Sequence, residues 1–204
     1  MNKLIKTFKD VFKGKKSMQA GMQLLDLTRQ SRASHHDKCL QLIRNGADLS
    51  VHTEHFERTA LIIATTYNNT KLAQALLDHG ADVNATDCNG NTALIYAAST
   101  GYLDMIRILL DHGANINATN DEGNTALMIA AEGKAHRLPA LSLLVERGAD
   151  TAAIETHEDA NLKAAIKEGK KRHLISALKS ADQKGTPQKR RILRPKARQR
   201  GQTP

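Results

Sequence analysis

Aromatic side chains are scarce in this sequence of 204 residues, which contains three Tyr, three Phe and no Trp. A core without large rings has to be built from Leu, Ile, Ala and Val, and packing of this kind favours repeated helices over a β-sandwich. Cysteine is scarce as well. Cys39 and Cys88 cannot make a disulfide framework, so we expect two free thiols in a reducing compartment.

Long apolar runs are missing too. No stretch of the sequence approaches the ~18 apolar residues that a membrane-spanning helix needs. The first sixteen residues contain no continuous apolar segment, which argues against a secretory signal peptide. These two features predict a cytoplasmic protein.

The formal net charge of +9 is unevenly distributed along the chain. Residues 1–16 contain six Lys and one Asp, and residues 167–204 contain thirteen Lys or Arg and two acidic residues. Residues 17–166 contain eleven basic and eighteen acidic residues. A nucleic-acid-binding module more often carries its positive charge on the folded body. This chain instead has a mildly acidic body with two basic ends.

Two short motifs recur at a nearly fixed spacing. The first is Thr-Ala-Leu followed by Ile or Met, and it begins at Thr59, Thr92 and Thr125, in steps of 33 residues. The second is Gly-Ala followed by Asp or Asn, and it begins at residues 46, 80, 113 and 148, in steps of 34, 33 and 35. Self-similarity at this period indicates stacked repeats. The two additional residues of the last step fall near residues 133–139.

Residues 87–119 show how one unit is built. Turn-forming residues at 87–90 precede Thr92, which can cap the helix that follows it. Gly101 and Gly113 then end a first and a second helix. Two helices of about two turns each cannot bury their apolar faces alone, so each unit depends on its neighbours for stability.

This pattern of turn, capping Thr and two Gly-terminated helices resembles the ankyrin repeat, strongly over residues 54–152 and weakly over 22–53 and 156–178. The resemblance implies an all-α ankyrin-repeat solenoid of stacked helix-turn-helix units with β-turn fingers. One departure from the family pattern is Ala in place of the Pro that usually follows the Thr. A second is Glu57, which stands where Gly90 and Gly123 stand in the next units, so we expect the first fingertip to be shaped differently.

Repeats and composition together divide the chain into five segments. They are a basic amphipathic N-terminal extension (1–21), an N-terminal capping repeat (22–53), three central ankyrin repeats (54–154), a C-terminal capping repeat (155–180) and a basic tail expected to be disordered (181–204). Within the C-terminal cap, Gly169 is expected to end a first helix, and Leu174 and Ile175 are expected to lie on the apolar face of a second.

No Gly-rich phosphate loop, nucleophile elbow or zinc-protease helix occurs in the sequence. We therefore predict that the protein is not an enzyme and needs no cofactor and no metal. His79 and His112 occupy equivalent repeat positions just before a Gly, where an imidazole can bond the last carbonyls of a helix.

The resemblance implies a protein partner, bound on the concave face that the fingertips and first helices form. Phe56, Arg58, Tyr67 and Tyr102 are of the side-chain types that carry interface hot spots. The variable positions on the concave face, taken as candidate partner-binding residues, are His55, Phe56, Arg58, Thr66, Tyr67, Cys88, Asn89, Asn91, Ser99, Thr100, Tyr102, Asp121, Glu122, Asn124 and Glu132.

The basic ends allow other functions. Residues 1–16 can form an amphipathic helix that contacts a membrane surface weakly, enters a partner's groove or docks on the first repeat unit. The tail resembles a nuclear-import signal and the Arg-rich C-terminal signals of secreted bacterial effectors, and it can contact nucleic acid non-specifically. Its basic candidates are Lys189, Arg190, Arg191, Arg194, Arg198 and Arg200.

The leading functional prediction is protein–protein interaction through the concave face, with a translocated bacterial effector as one form of it. The alternative is a membrane-surface or nucleic-acid adaptor that acts through its two basic ends. In these interpretations the protein would be translocated into a host cell or enter a nucleus. Asn84 and Asn117 also resemble ankyrin asparagines that a eukaryotic oxygenase hydroxylates, which matters only in eukaryotic cytosol.

Overall fold

The computed structural model describes the backbone of residues 2–30, 35–132, 137–152, 154 and 160–184, and side chains within residues 14–30, 35–132, 137–152, 154 and 162–176. Over these residues the secondary structure consists of nine helices and three isolated β-bridges. The helices are α1 (Asn2–Arg29), α2 (His36–Arg44), α3 (Ala60–Thr66), α4 (Thr70–Asp78), α5 (Ala93–Thr100), α6 (Leu103–Asp111), α7 (Ala126–Ala131), α8 (Leu138–Glu146) and α9 (Ala160–Lys184).

The recurrent Thr starts one helix in each central unit. Thr59, Thr92 and Thr125 are the N-caps of α3, α5 and α7, and each accepts a hydrogen bond at its hydroxyl from the amide three residues later. An N-cap of this kind satisfies an amide that would otherwise have no partner in the first turn. Each of these Thr residues also closes a β-bridge with the strand-like segment before it, which shapes the fingertip between them.

The helices stack in two parallel rows. The inner row is α1, α3, α5 and α7, the outer row is α2, α4, α6 and α8, and each helix packs against the next of its own row. Leucines at equivalent positions face the core between the rows, and Leu76, Leu109 and Leu144 of the outer row are fully buried. Burying one such side chain stabilises the fold by about 1.5–3 kcal/mol. This lateral stacking confirms the predicted all-α repeat solenoid.

The first fingertip differs from the other two, as predicted, but its left-handed residue is retained. Glu57 has φ = 51°, in the same region as Gly90 and Gly123. The turn that contains it is closed by a bond from the Thr53 amide to the Arg58 carbonyl, whereas the second fingertip closes from residue 87 to residue 91. The first fingertip is therefore one residue wider, which accounts for the step of 34 between the first two Gly-Ala motifs.

The boundary expected near residue 21 is not a break in the chain, because α1 runs without interruption from Asn2 to Arg29. Gly21 lies inside this helix, where an added Cβ would clash with the carbonyl oxygen of Asp48. The hydroxyl of Ser17 donates to the carbonyl of Gly46 at 2.7 Å. The C-terminal half of α1 thus serves as the inner helix of the first unit.

The C-terminal cap corrects a second expectation. We expected Gly169 to separate two helices, but α9 is continuous from Ala160 to Lys184. Gly169 is buried inside it, and an added Cβ would lie 2.6 Å from the Cβ of Val145 in α8. The glycine is needed for close approach of two helices and not for a helix end. Leu174 and Ile175 are exposed, so they form no second buried face.

The extra residues of the last central unit fall in its helix–helix connection. Two residues separate α5 from α6, whereas six separate α7 from α8. Residues 133–136 of this connection lie outside the described residues, and so does most of the expected tail.

Candidate partner-binding surface

The three described fingertips are joined edge to edge. The amide of Cys88 donates to the carbonyl of Phe56 at 3.1 Å, and the amide of Asp121 donates to the carbonyl of Asn89 at 3.1 Å. One backbone hydrogen bond therefore joins each fingertip to the next. The result is a continuous ribbon along one side of the inner helices.

A cavity of about 570 Å³ lies between α1 and the first fingertip. Three large apolar side chains at this cavity are half-exposed: Phe56 at 55%, Tyr67 at 52% and Met22 at 50%. Exposed aromatic residues beside a concavity are the usual anchors of a protein interface. Five predicted residues meet here, namely His55, Phe56, Arg58, Thr66 and Tyr67.

Helix α1 supplies the opposite wall of this first cavity. Met22, Leu25, Asp26 and Arg29 line it, and none of them was selected from the sequence. The weak resemblance of the first unit did not place α1 beside the fingertip. A usable signal was present, because Met22, Leu25 and Arg29 share one helical face at spacings of three and four residues.

Arg58 is held within the surface. Its guanidinium group lies 5.0 Å from the ring centre of Phe56 and 5.1 Å from that of Tyr96. Its Nη2 donates to the Tyr96 hydroxyl at 2.8 Å, and its side chain is 31% exposed. Stacking between two rings costs Arg58 much of its freedom to meet a partner, so this side chain fixes the fingertip as well as contributing to its surface.

Asp87 anchors the other end of this network. Its side chain is fully buried, and its Oδ2 accepts a 2.6 Å hydrogen bond from Tyr96 and lies 3.9 Å from Nε of Arg58. Its Oδ1 accepts the amide bonds of Asn89 and Asn91. Burial first, and then the bond to Asp87, raise the pKa of Tyr96. Tyr96 was not predicted as a surface residue, although it stands where the neighbouring units have Ile.

A second, shallower cavity of about 430 Å³ lies between the second and third fingertips. Isoleucines of α5 and α7, Ile95 and Ile129, line its floor together with polar fingertip residues. The predicted residues that line it are Asn89, Asn91, Ser99, Asp121 and Glu122.

The other predicted residues lie outside both cavities. Cys88 is exposed on the second fingertip, and Glu132 is exposed after α7. Thr100 donates its hydroxyl to the carbonyl of Tyr96 at 3.0 Å. Asn124 donates to the Glu122 carboxylate at 3.1 Å. Tyr102 is partly buried against the core, so its contribution there is to packing.

The fingertips and inner helices of the central units form a surface that we call the inner face, residues 52–67, 86–100 and 119–132. It contains six acidic residues and one basic residue, which gives a formal charge of −5 with neutral His. The acidic residues are Glu54, Glu57, Asp87, Asp121, Glu122 and Glu132, and the basic residue is Arg58. Asp87 is buried against Arg58, which is 31% exposed, so the other five carboxylates dominate the exposed charge of the inner face.

Asn84 and Asn117 lie on a different edge and link neighbouring units. The Asn84 side-chain oxygen accepts from the amide of Asn115 at 2.8 Å, and the Asn117 oxygen accepts from the amide of Asp150 at 3.0 Å. Both side chains therefore have a structural role, and their hydroxylation remains a prediction.

The expected role of the two repeat histidines is confirmed. Nδ1 of His79 lies 2.9 Å from the carbonyl of Ala75, and Nδ1 of His112 lies 2.8 Å from the carbonyl of Ile108. Nε2 of His112 is also 3.2 Å from the carboxylate of Asp78 in the preceding unit. The backbone bond first, and then Asp78, raise the pKa of His112.

This contact has a counterpart in the next unit, where Arg147 donates to Asp111 at 2.7 Å. Two steps of the outer row, α4 to α6 and α6 to α8, thus each carry one ionic contact. These contacts are on the side opposite the inner face and belong to the stability of the stack.

Among the residues that the structure describes, no three His, Cys, Asp or Glu side chains gather into a group that could hold a metal ion. None of the described helices combines the length and apolar character that crossing a bilayer requires.

Stacked helix pairs with capped inner helices and bonded fingertips define a repeat solenoid whose inner face is open for contact. The profile of ankyrin repeats (3 copies) matches residues 30–120 and 89–155 of the chain. The chain therefore belongs to the ankyrin repeat family. Members of this family generally bind protein partners and are typically non-catalytic. No curated protein matches the chain.

Proposed function

We propose that this protein is a non-catalytic module that binds a partner protein on its inner face. The observation that carries the proposal is the first cavity, where Phe56, Tyr67 and Met22 are half-exposed around a concavity of about 570 Å³. Large apolar side chains that are exposed together on one surface mark interaction sites.

The geometry around the cavity supports recognition in two ways. The fingertips are fixed by backbone bonds, and Arg58 is locked between Phe56 and Tyr96. A preformed surface loses little conformational entropy on binding, which leaves more of the contact energy for affinity. The exposed carboxylates favour a partner with basic features and bias its association rate more than its affinity.

The test is affinity capture with the full chain as bait, in wild-type form and with Phe56→Ala and Tyr67→Ala combined. A matched control is the pair Leu174→Ala and Ile175→Ala, which removes exposed apolar area from α9 at the opposite end of the stack. We expect a partner that wild type and control both capture and the Phe56–Tyr67 variant loses by tenfold or more, since hot-spot truncations cost about 2 kcal/mol or more each. Equal capture by all three proteins would contradict the proposal.

The finer interpretations depend on the two ends of the chain. The membrane-surface or nucleic-acid adaptor and the translocated effector require residues 1–16 or the tail, and the side chains of residues 1–13 and 181–204 lie outside the described residues. Deleting residues 1–16 and 181–204 distinguishes these functions from partner binding on the inner face. Partner capture that survives the deletion supports recognition by the inner face, whereas capture that disappears with the ends supports the adaptor.

A further inference from the structure

Five carboxylates of the inner face are exposed, those of Glu54, Glu57, Asp121, Glu122 and Glu132. None of them forms an ion pair with a Lys or Arg among the described residues. Like charges gathered on one surface raise its negative potential and attract a cationic ligand. The inner face therefore favours a cationic, extended segment as its occupant.

A segment of this chemistry follows α9 in the same chain. Residues 185–204 contain seven Lys or Arg and no acidic residue, a formal charge of +7. The second cavity offers the complement, because the carboxylates of Asp121 and Glu122 line it.

The length of this segment is sufficient to reach the inner face. From Gly169, which contacts α8, to Lys184 the helix rises by about 22 Å at 1.5 Å per residue. Sixteen extended residues from 185 to 200 span up to about 50 Å. The chain can therefore return along α9 to α8 and still cover roughly 28 Å, about three helix spacings of 8–10 Å.

We propose that residues 189–200 bind the inner face of their own chain, with Lys196, Arg198 and Arg200 on the carboxylates of Asp121 and Glu122 at the second cavity. The proposal rests on the proposed function, because a partner on the inner face has to displace this segment. Tethering places the segment at an effective concentration of the order of millimolar, so even weak contacts are populated. The tail is thus a built-in competitor that raises the affinity a partner needs.

The two cysteines make a direct test simple. Cys88 is exposed on the second fingertip, next to the second cavity, whereas Cys39 is 2% exposed and burial raises the pKa of its thiol. A thiol-reactive spin label will therefore modify Cys88 in the folded full chain. Amide signals of residues 189–200 in the isotope-labelled protein then report how near the tail comes to the second fingertip.

We expect these signals to weaken at least about twofold in the oxidised relative to the reduced spin label, because a millimolar effective concentration populates a weak complex. The weakening should vanish at about 0.5 M NaCl, where the Debye length is only about 4 Å. It should also vanish when Glu54, Glu57, Asp121 and Glu122 are all replaced by their amides. The matched control is Cys88→Ser with Lys71→Cys, which places the label on α4 in the outer row and should leave the tail signals unchanged.

Three results would overturn the proposal. The first is that the tail signals are unaffected by the label on Cys88 at low salt, and the second is that the label on residue 71 weakens them equally. The third is weakening in a mixture of two chains, one isotope-labelled with Cys88→Ser and the other carrying the spin label but no isotope label. The last result would show that the segment binds a second copy. None of these measurements includes a partner, so their failure leaves the capture test of the proposed function intact.

Discussion

The buried Asp87 side chain accepts backbone hydrogen bonds within the second fingertip and also contacts Tyr96 and Arg58. Replacing Asp87 with Asn separates these two roles. The amide retains an oxygen that can accept the backbone bonds of the second fingertip. Asn120 performs this same task in the third fingertip, where its side-chain oxygen accepts two backbone amides at 3.1 Å and 2.9 Å. The fingertip should therefore keep its shape in Asp87→Asn, and the change should affect only the contacts with Arg58 and Tyr96.

The size of the effect follows from those contacts. Tyr96 loses a charged acceptor at 2.6 Å, and hydrogen bonds to charged groups contribute about 1.5–3 kcal/mol. The loss is reduced because Arg58 is 31% exposed, so water still solvates its charge, and because Arg58 keeps its bond to Tyr96. We expect Asp87→Asn to lower the free energy of unfolding by about 1–2 kcal/mol.

Urea denaturation followed by far-ultraviolet circular dichroism measures this loss. A double-mutant cycle with Arg58→Met should give a coupling of about 1 kcal/mol between the two side chains, well above the ~0.3 kcal/mol error of additivity. Asp121→Asn is the exposed control and should change stability by less than about 0.5 kcal/mol. A cycle that sums to zero within error would refute the network, and a control as damaging as Asp87→Asn would refute the role of burial.

Three other substitutions test separate parts of the stack. Glu57→Gly should stabilise the fold by about 0.5–1 kcal/mol in the same urea assay, because Gly adopts the positive φ of this fingertip without strain. An unchanged free energy of unfolding would mean that Glu57 is not strained in the first fingertip. His112 has a raised pKa and Asp78 a lowered one, so their contact stabilises the fold most between about pH 4 and 6.5. This stabilisation is lost as the pH rises through the pKa of His112 or falls through that of Asp78. The difference in Tm between wild type and His112→Gln should therefore shrink from pH 5.5 to pH 8. A constant difference would contradict the ionic contact. Gly169→Val should separate α9 from Val145 and destabilise the C-terminal end by about 1–3 kcal/mol, detected as faster amide exchange in α9 with the exchange of α5 unchanged.

Much of the fold could be predicted because its signals are local. The capping Thr residues, the Gly residues after helices and the 33-residue period each lie within one unit, and all three describe stacked helix pairs. The period even recorded the wider first fingertip, as a step of 34. Its cause was not readable from the sequence, because one additional residue between Thr53 and Arg58 changes no motif.

Glycine explains the main error. Gly101 and Gly169 both follow an apolar helix at a similar spacing, and the sequence does not distinguish a residue that ends a helix from one that lets another helix approach. Gly101 has φ = 77° and ends α5, whereas Gly169 lies inside α9 against Val145. Only the position of α8 separates the two cases, and that position is a tertiary fact.

The candidate surface was predictable in part for a similar reason. Their positions within the 33-residue repeat were enough to predict that Phe56 and Tyr67 lie on the inner face, and the first cavity brings them together. The pairing of Arg58 with Asp87 and Tyr96 joins residues 29 and 38 positions apart, and no pattern within one unit contains it. The contribution of α1 was missed because its resemblance to a repeat is weak.

The side-chain oxygens of Asn84 and Asn117 bind each unit to the next through amides at equivalent positions. A tandem copy of residues 87–119 inserted after residue 119 would meet the same acceptor behind it and present the same acceptor ahead. Gene duplication could thus lengthen this protein by whole repeat units and extend its binding surface without requiring a new type of contact between units.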